Sequence, residues 1–146
     1  MNTKLQTLKN YMENNTKETI NLINNKLGED IKSLKNIELI ESNKVFNAIK
    51  LEADKKTFLI TICNKKEANN IGYKSWAYFC ILNRKEKNIS LLDEIDMKVY
   101  NEEEHHDVME ISNKEKEITI KLHYIVTKEL IDKELITQDE LLVIIA

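Results

Sequence analysis

The spacing of apolar residues changes from a helical to a strand period near residue 36, and this change limits the folds open to the chain. Before it, apolar side chains recur every three or four residues, which is typical of amphipathic helices. From Asn36 to Thr127 they alternate with polar residues, which is typical of strands with one buried face. Helices followed by a run of strands predict an α+β fold.

Two helices are predicted before the change. The apolar stripe comprises Leu5, Leu8 and Met12, and then Ile20, Ile23, Leu27, Ile31 and Leu34. Asn15, followed three residues later by Glu18, resembles a capping box and favours two helices over one long helix with a coiled-coil-like seam. Gly28 costs about 1 kcal/mol relative to alanine inside a helix, so the second helix is expected to end or kink there.

Seven strands are predicted after the change. They are Ile37–Glu41, Val45–Ala53, Thr57–Cys63, Tyr73–Asn83, Met97–Tyr100 with an earlier start as the alternative, Val108–Ser112 and Glu117–Val126. The connections are short and contain no helix, which indicates antiparallel neighbours in a meander.

The C-terminal segment is predicted to return to helix. Lys128–Glu134 suggests one short helix, and Thr137 to Glu140 has the spacing of a second capping box. The apolar run Leu141–Ile145 would then be helical, with a final strand as the alternative. The predicted fold is α+β: two N-terminal helices packed on an antiparallel meander of six or seven strands, with one or two short C-terminal helices. No shift in composition divides residues 1–146, so we expect a single domain.

Strand register assigns side chains to the two faces of the sheet, because alternate residues share a face. A two-residue turn at Asp54-Lys55 places Leu51 opposite Phe58, and a symmetric fold-back of the next segment places Ala77 beside Ile60. The predicted core face carries Ile49, Leu51, Phe58, Ile60, Ile62, Ala77, Phe79 and Ile81.

The opposite face is rich in aromatic and apolar groups. It carries Phe46, Ala48, Lys50, Leu59, Thr61, Trp76, Tyr78, Cys80 and Leu82. One interpretation is that other parts of the chain cover it. The other is an exposed patch in which Leu59, Trp76, Tyr78 and Leu82 bind a partner, since tryptophan and tyrosine are enriched among interface anchors.

The densest group of potential metal ligands is the run Glu102-Glu103-Glu104-His105-His106-Asp107. Consecutive residues point in different directions, and a run of like charges is typical of a solvated loop, so we predict no metal site. Glu102, Glu103 and Glu104 are instead expected to steer a basic partner toward the chain.

Several classes of activity are disfavoured by composition. Two glycines cannot form a phosphate-binding glycine loop, the net charge of −3 disfavours nucleic acid, and no apolar run is long enough to span a membrane. Cys63 and Cys80 are interpreted as core residues that do not pair with each other. We expect no cofactor and, since Met1–Lys9 has no apolar block, a cytoplasmic location.

The leading hypothesis is a non-enzymatic protein-binding module that occludes or holds another protein. Immunity proteins, phage-encoded inhibitors of host defence and secretion chaperones have this profile, and their partners would be a toxin, a nuclease or a secreted effector. The alternative is a small-ligand-binding or metal-assisted enzyme with a pocket between sheet and helices. A third hypothesis is a structural subunit that forms a homodimer through the Trp76 face.

Overall fold

The described part of the chain combines three α-helices with one seven-stranded sheet. The computed structural model describes residues 3–41, 47–67, 95–103, 106–113 and 118–146. The helices are α1 (Thr3–Asn14), α2 (Thr16–Leu27) and α3 (Lys128–Asp132). The strands are β1 (Leu34–Glu41), β2 (Asn47–Ala53), β3 (Thr57–Asn64), β4 (Ile95–Glu103), β5 (His106–Asn113), β6 (Ile118–Ile125) and β7 (Glu140–Ile145). The predicted α+β class, with two N-terminal helices on an antiparallel sheet, is confirmed.

The first two helices are separate, as the sequence indicates, but α2 is shorter than its apolar stripe. Gly28 ends it in the left-handed conformation (φ 68°, ψ 26°), and the Gly28 N–H donates to the Asn24 carbonyl oxygen. The Asn24 side chain then holds the backbone of Ile31 by two hydrogen bonds, of 2.8 and 3.1 Å. Ile31 is therefore buried from a loop rather than from a helix, and Leu34 begins β1 instead of ending α2.

The β2–β3 hairpin has the predicted register. Leu51 lies opposite Phe58 and Ile49 lies opposite Ile60. The Ala53 N–H donates to the Lys56 carbonyl oxygen at 2.8 Å, which closes a two-residue hairpin turn.

The sheet is not one continuous meander. Its order is β1-β2-β3-β7-β6-β5-β4, with antiparallel pairing throughout, so two three-stranded meanders are joined by the C-terminal strand. Ile60 of β3 lies opposite Ile144 of β7, and the expected pairing of Ile60 with Ala77 is therefore wrong. The predicted strand Tyr73–Asn83 lies outside the described residues.

The C-terminal apolar run forms a strand, so the preferred prediction of a second C-terminal helix is wrong. The capping-box contact does form, because the Thr137 N–H donates to Glu140 Oε1 at 2.8 Å. It closes a turn instead of starting a helix. A run of five apolar residues suits a strand at the centre of a sheet, where both faces are buried.

Each face of the sheet carries a hydrophobic core. The first lies under the helices and contains Leu5, Leu8, Met12 and Ile23 together with Ile49, Leu51, Phe58, Ile60, Leu142 and Ile144. The second lies on the opposite face and contains Ala48, Leu59, Cys63, Met109, Ile111, Ile120, Leu122, Tyr124, Val143 and Ile145. None of the helices in the described ranges combines the length and apolarity that crossing a bilayer requires.

Candidate interaction edge

The residues predicted to bind a partner fall into three groups. Leu59 is only 6% exposed and lies in the second core. Trp76, Tyr78, Leu82 and Glu104 lie outside the described residues, so their role stays a prediction. Glu102 and Glu103 end strand β4, where the pairing with β5 is irregular.

Strand β1 forms one edge of the sheet, and four of its eight side chains are exposed. It pairs with β2 through seven residue pairs, and no described strand lies on its other side. Eight residues at about 3.3 Å each give an edge roughly 26 Å long. An unpaired edge presents a row of N–H and C=O groups that another strand can bond.

The backbone groups that face outward follow from the hairpin. Residues flanking a two-residue turn exchange hydrogen bonds, and bonded pairs alternate along the ladder from there. The β2 residues that face β1 are therefore Glu52, Lys50 and Ala48. The Asp54 N–H, of the same parity, donates toward β1 at Ser33 (3.1 Å), which agrees with this assignment.

The β1 residues opposite those positions, Asn36, Glu38 and Ile40, direct their backbone groups toward β2. The β1 residues between these positions direct their backbone groups away from the sheet. Ile37, Leu39 and Glu41 therefore offer their N–H and C=O groups to a partner.

The β1 side chains alternate between anchoring and exposed. Ile37 and Leu39 are half-buried against the first core, and Ile40 is half-buried against the second. The charged side chains Lys35, Glu38 and Glu41 are exposed. None of the three charges forms an ion pair with a described residue. The edge strand is thus anchored by its apolar side chains, and its charged side chains remain available to a partner.

The N-terminal end of β1 is held by the β2–β3 turn. The Lys32 N–H donates to Asp54 Oδ1 at 3.2 Å, and Lys56 forms an ion pair with Glu29 at 2.7 Å. The strand also has a bulge at Lys35, because Leu34 and Asn36 oppose adjacent residues of β2. Bulges of this kind limit uncontrolled pairing at sheet edges.

A separate candidate site is an open groove of about 470 Å³ between α2 and the start of α3. Its walls are mixed, with polar, apolar and oppositely charged side chains. They are formed by Glu18, Asn21, Leu22, Asn25, Lys26, Val126, Thr127, Lys128 and Glu129. The adjacent Tyr11 has a raised pKa, first because of burial and then because of Glu129 and Glu18.

Two groups with reactive chemistry, the Cys63 thiol and the Tyr124 hydroxyl, lie in the second core. Cys63 is buried in the second core, and burial, with smaller effects of Glu67 and Glu140, raises the pKa of its thiol to about 11. Burial also raises the pKa of Tyr124, whose hydroxyl donates to Met109 Sδ at 3.7 Å. In the described ranges no three His, Cys, Asp or Glu side chains are grouped so that they could hold a metal ion.

The β1 edge was not predicted from the sequence as a site. The prediction started that strand at Ile37, and nothing local identifies which strand of a sheet is outermost. The available signal was the spacing of Lys35, Glu38 and Glu41, because charges at this density are typical of protected edge strands.

Comparison with known proteins gives no relative: no protein-family model matches the sequence, and neither the curated proteins nor the solved structures give a significant match.

Proposed function

We propose that the chain is a non-enzymatic protein-binding module that occludes or holds a partner protein by pairing β1 with an extended segment of that partner. The observation that carries the proposal is the eight-residue edge strand whose second side is unpaired among the described residues. Strand addition of this kind derives affinity from main-chain hydrogen bonds and specificity from alternate side chains.

The anchoring of β1 favours this mode of binding. Half-buried Ile37 and Leu39 fix the strand on the first core, so the edge is ordered before a partner arrives. On association, only the partner's strand has to become ordered, because β1 is already fixed. Preorganisation of this kind reduces the entropic cost of association. A toxin, a nuclease or a secreted effector with an exposed strand would suit such a module.

The test is capture of partner proteins from source cells, followed by binding measurements with the purified partner. Leu39→Pro removes an outward N–H while the ladder to β2 keeps its hydrogen bonds. Leu39→Ala is the control, because it truncates the side chain further than proline does but keeps that N–H. We expect the proline variant to lose the partner and the alanine variant to retain it, with both folded by circular dichroism. Equal binding by the two variants would refute strand addition.

The groove between α2 and α3 favours a second candidate function, a small-ligand-binding or metal-assisted enzyme. Its lining carries both signs of charge beside apolar side chains, as a pocket for a small zwitterionic ligand would. Thermal shift screening of small metabolites, with Lys26→Ala and Lys128→Ala as variants, tests this. A stabilising ligand whose effect disappears in these variants would favour the second function over the first.

A further inference from the structure

We infer that the β1 edge pairs with the β1 edge of a second copy of this chain, in an antiparallel homodimer centred on Glu38. The inference rests on the proposed function in one respect, that β1 is the pairing edge.

The symmetry of an edge-to-edge dimer restricts the register. A twofold axis perpendicular to the sheet makes the strands antiparallel and pairs residues of the same face. The axis must then lie between the two strands, midway between one residue of β1 and the same residue of the second copy. Centred on Ile37, it places Lys35 opposite Leu39; centred on Leu39, it places Ile37 opposite Glu41. Both registers oppose a charged to an apolar side chain.

Centring on Glu38 gives complementary neighbours. Ile37 lies opposite Leu39 of the second copy, and Lys35 lies opposite Glu41, each pair occurring twice by symmetry. The bulge ends the regular ladder at Asn36, but the long lysine stem at Lys35 extends the reach of its ammonium group toward the carboxylate.

The hydrogen-bond parity agrees with the same register. Ile37 and Leu39 both direct their N–H and C=O groups outward. Placed opposite each other, they form a bonded pair on each side of the axis, which provides four main-chain hydrogen bonds. Glu38 bonds β2 and therefore lies in a non-bonded pair on the axis, where opposing side chains are closest.

The same register places Asn36 opposite Ile40, a neutral polar side chain opposite an apolar one, and its one like-charged pair is Glu38 with its own copy. Like charges directly opposite each other destabilise a sheet, so this pair lowers the affinity of the dimer. A weak dimer covers the edge in the absence of a partner and yields it to a partner strand that pairs better. This deepens the proposed function, because self-pairing would protect the edge until binding.

Sedimentation equilibrium of the full chain over a wide concentration range tests the inference by charge exchange. Lys35→Glu or Glu41→Lys alone opposes like charges twice and should weaken the dimer roughly tenfold. The double variant restores opposite charges and should recover the wild-type dissociation constant. Glu38→Gln should tighten the dimer roughly two- to five-fold.

The matched controls make the same charge changes on exposed helix positions. Lys17→Glu lies on α2 and Asp132→Lys lies on α3, and neither should change the dissociation constant.

Two results would overturn the inference. One is a protein that stays monomeric at every concentration, both as wild type and as Glu38→Gln. The other is a dimer whose affinity does not follow the exchange of Lys35 and Glu41. A monomer that binds its partner through β1 would refute self-pairing and leave the proposed function intact. A dimer that shows these charge effects but captures no partner would support self-pairing and refute the proposed function.

Discussion

Shortening Ile144 tests whether β7 is the buried centre of the sheet. Ile144 is 0% exposed, lies opposite Ile60 on β3 and His123 on β6, and belongs to the first core. Ile144→Ala removes three buried carbons, which at about 0.8 kcal/mol each lowers the free energy of unfolding by about 2.4 kcal/mol. The cavity left behind adds a further term, so we expect a total of about 3–4 kcal/mol. Ile144→Val removes one carbon and should cost about 1 kcal/mol.

Urea unfolding followed by circular dichroism measures these losses. The midpoint should fall while the slope against denaturant concentration stays constant, because the surface exposed on unfolding hardly changes. Ile131→Ala is the matched control, since it removes the same atoms from a half-buried site on α3. It should cost about 1 kcal/mol or less.

A loss at Ile144 no larger than the loss at Ile131 would refute this account of the core. Amide hydrogen exchange gives an independent check, because β7 is bonded on both sides. Its amides should be among the most protected in the chain.

Three further outcomes follow from particular contacts. The raised pKa of Cys63 means that the folded state holds the thiol proton more tightly than the unfolded state does. The free energy of unfolding should therefore be full below pH 9 and fall as the pH rises toward 11. Cys63→Val should flatten this dependence in urea midpoints measured across that range. Gly28→Ala should destabilise the fold by about 1 kcal/mol through backbone strain alone, since φ is 68° and no atom lies within 4 Å of the added Cβ; a neutral thermal melt would contradict this. Although burial raises the pKa of Glu140, hydrogen bonds from Lys4 and Thr137 outweigh this effect, so the pKa is lowered overall. The stability that this carboxylate contributes is therefore present above pH 4.5 and is lost on acidification. Glu140→Gln should lower the free energy of unfolding by about 1 kcal/mol at neutral pH and remove that acid dependence.

The parts of the fold that the sequence predicts correctly are specified locally. The β2–β3 register follows from a two-residue turn and the alternation on either side of it. The end of α2 follows from Gly28, since glycine adopts the left-handed conformation without a steric penalty.

The parts it does not predict depend on distant residues. Leu141–Ile145 has no period that separates a strand from a helix, and it becomes a strand because β3 and β6 both present edges to it. The two hydrogen bonds from Asn24 to Ile31 are likewise invisible in a local pattern. The status of β1 as a candidate site depends on the order of all seven strands, which short-range patterns do not contain.

The central strand of the sheet, β7, follows all the other described strands in chain order, which has a consequence for synthesis on the ribosome. Residues paired between β3 and β7 lie more than 70 positions apart, so their contacts form late and slowly. Until β7 emerges, β3 and β6 each expose a bare edge beside apolar faces, a combination that favours aggregation of a nascent chain. Because β7 pairs with both β3 and β6, the two meanders can become one sheet only after β7 has been made.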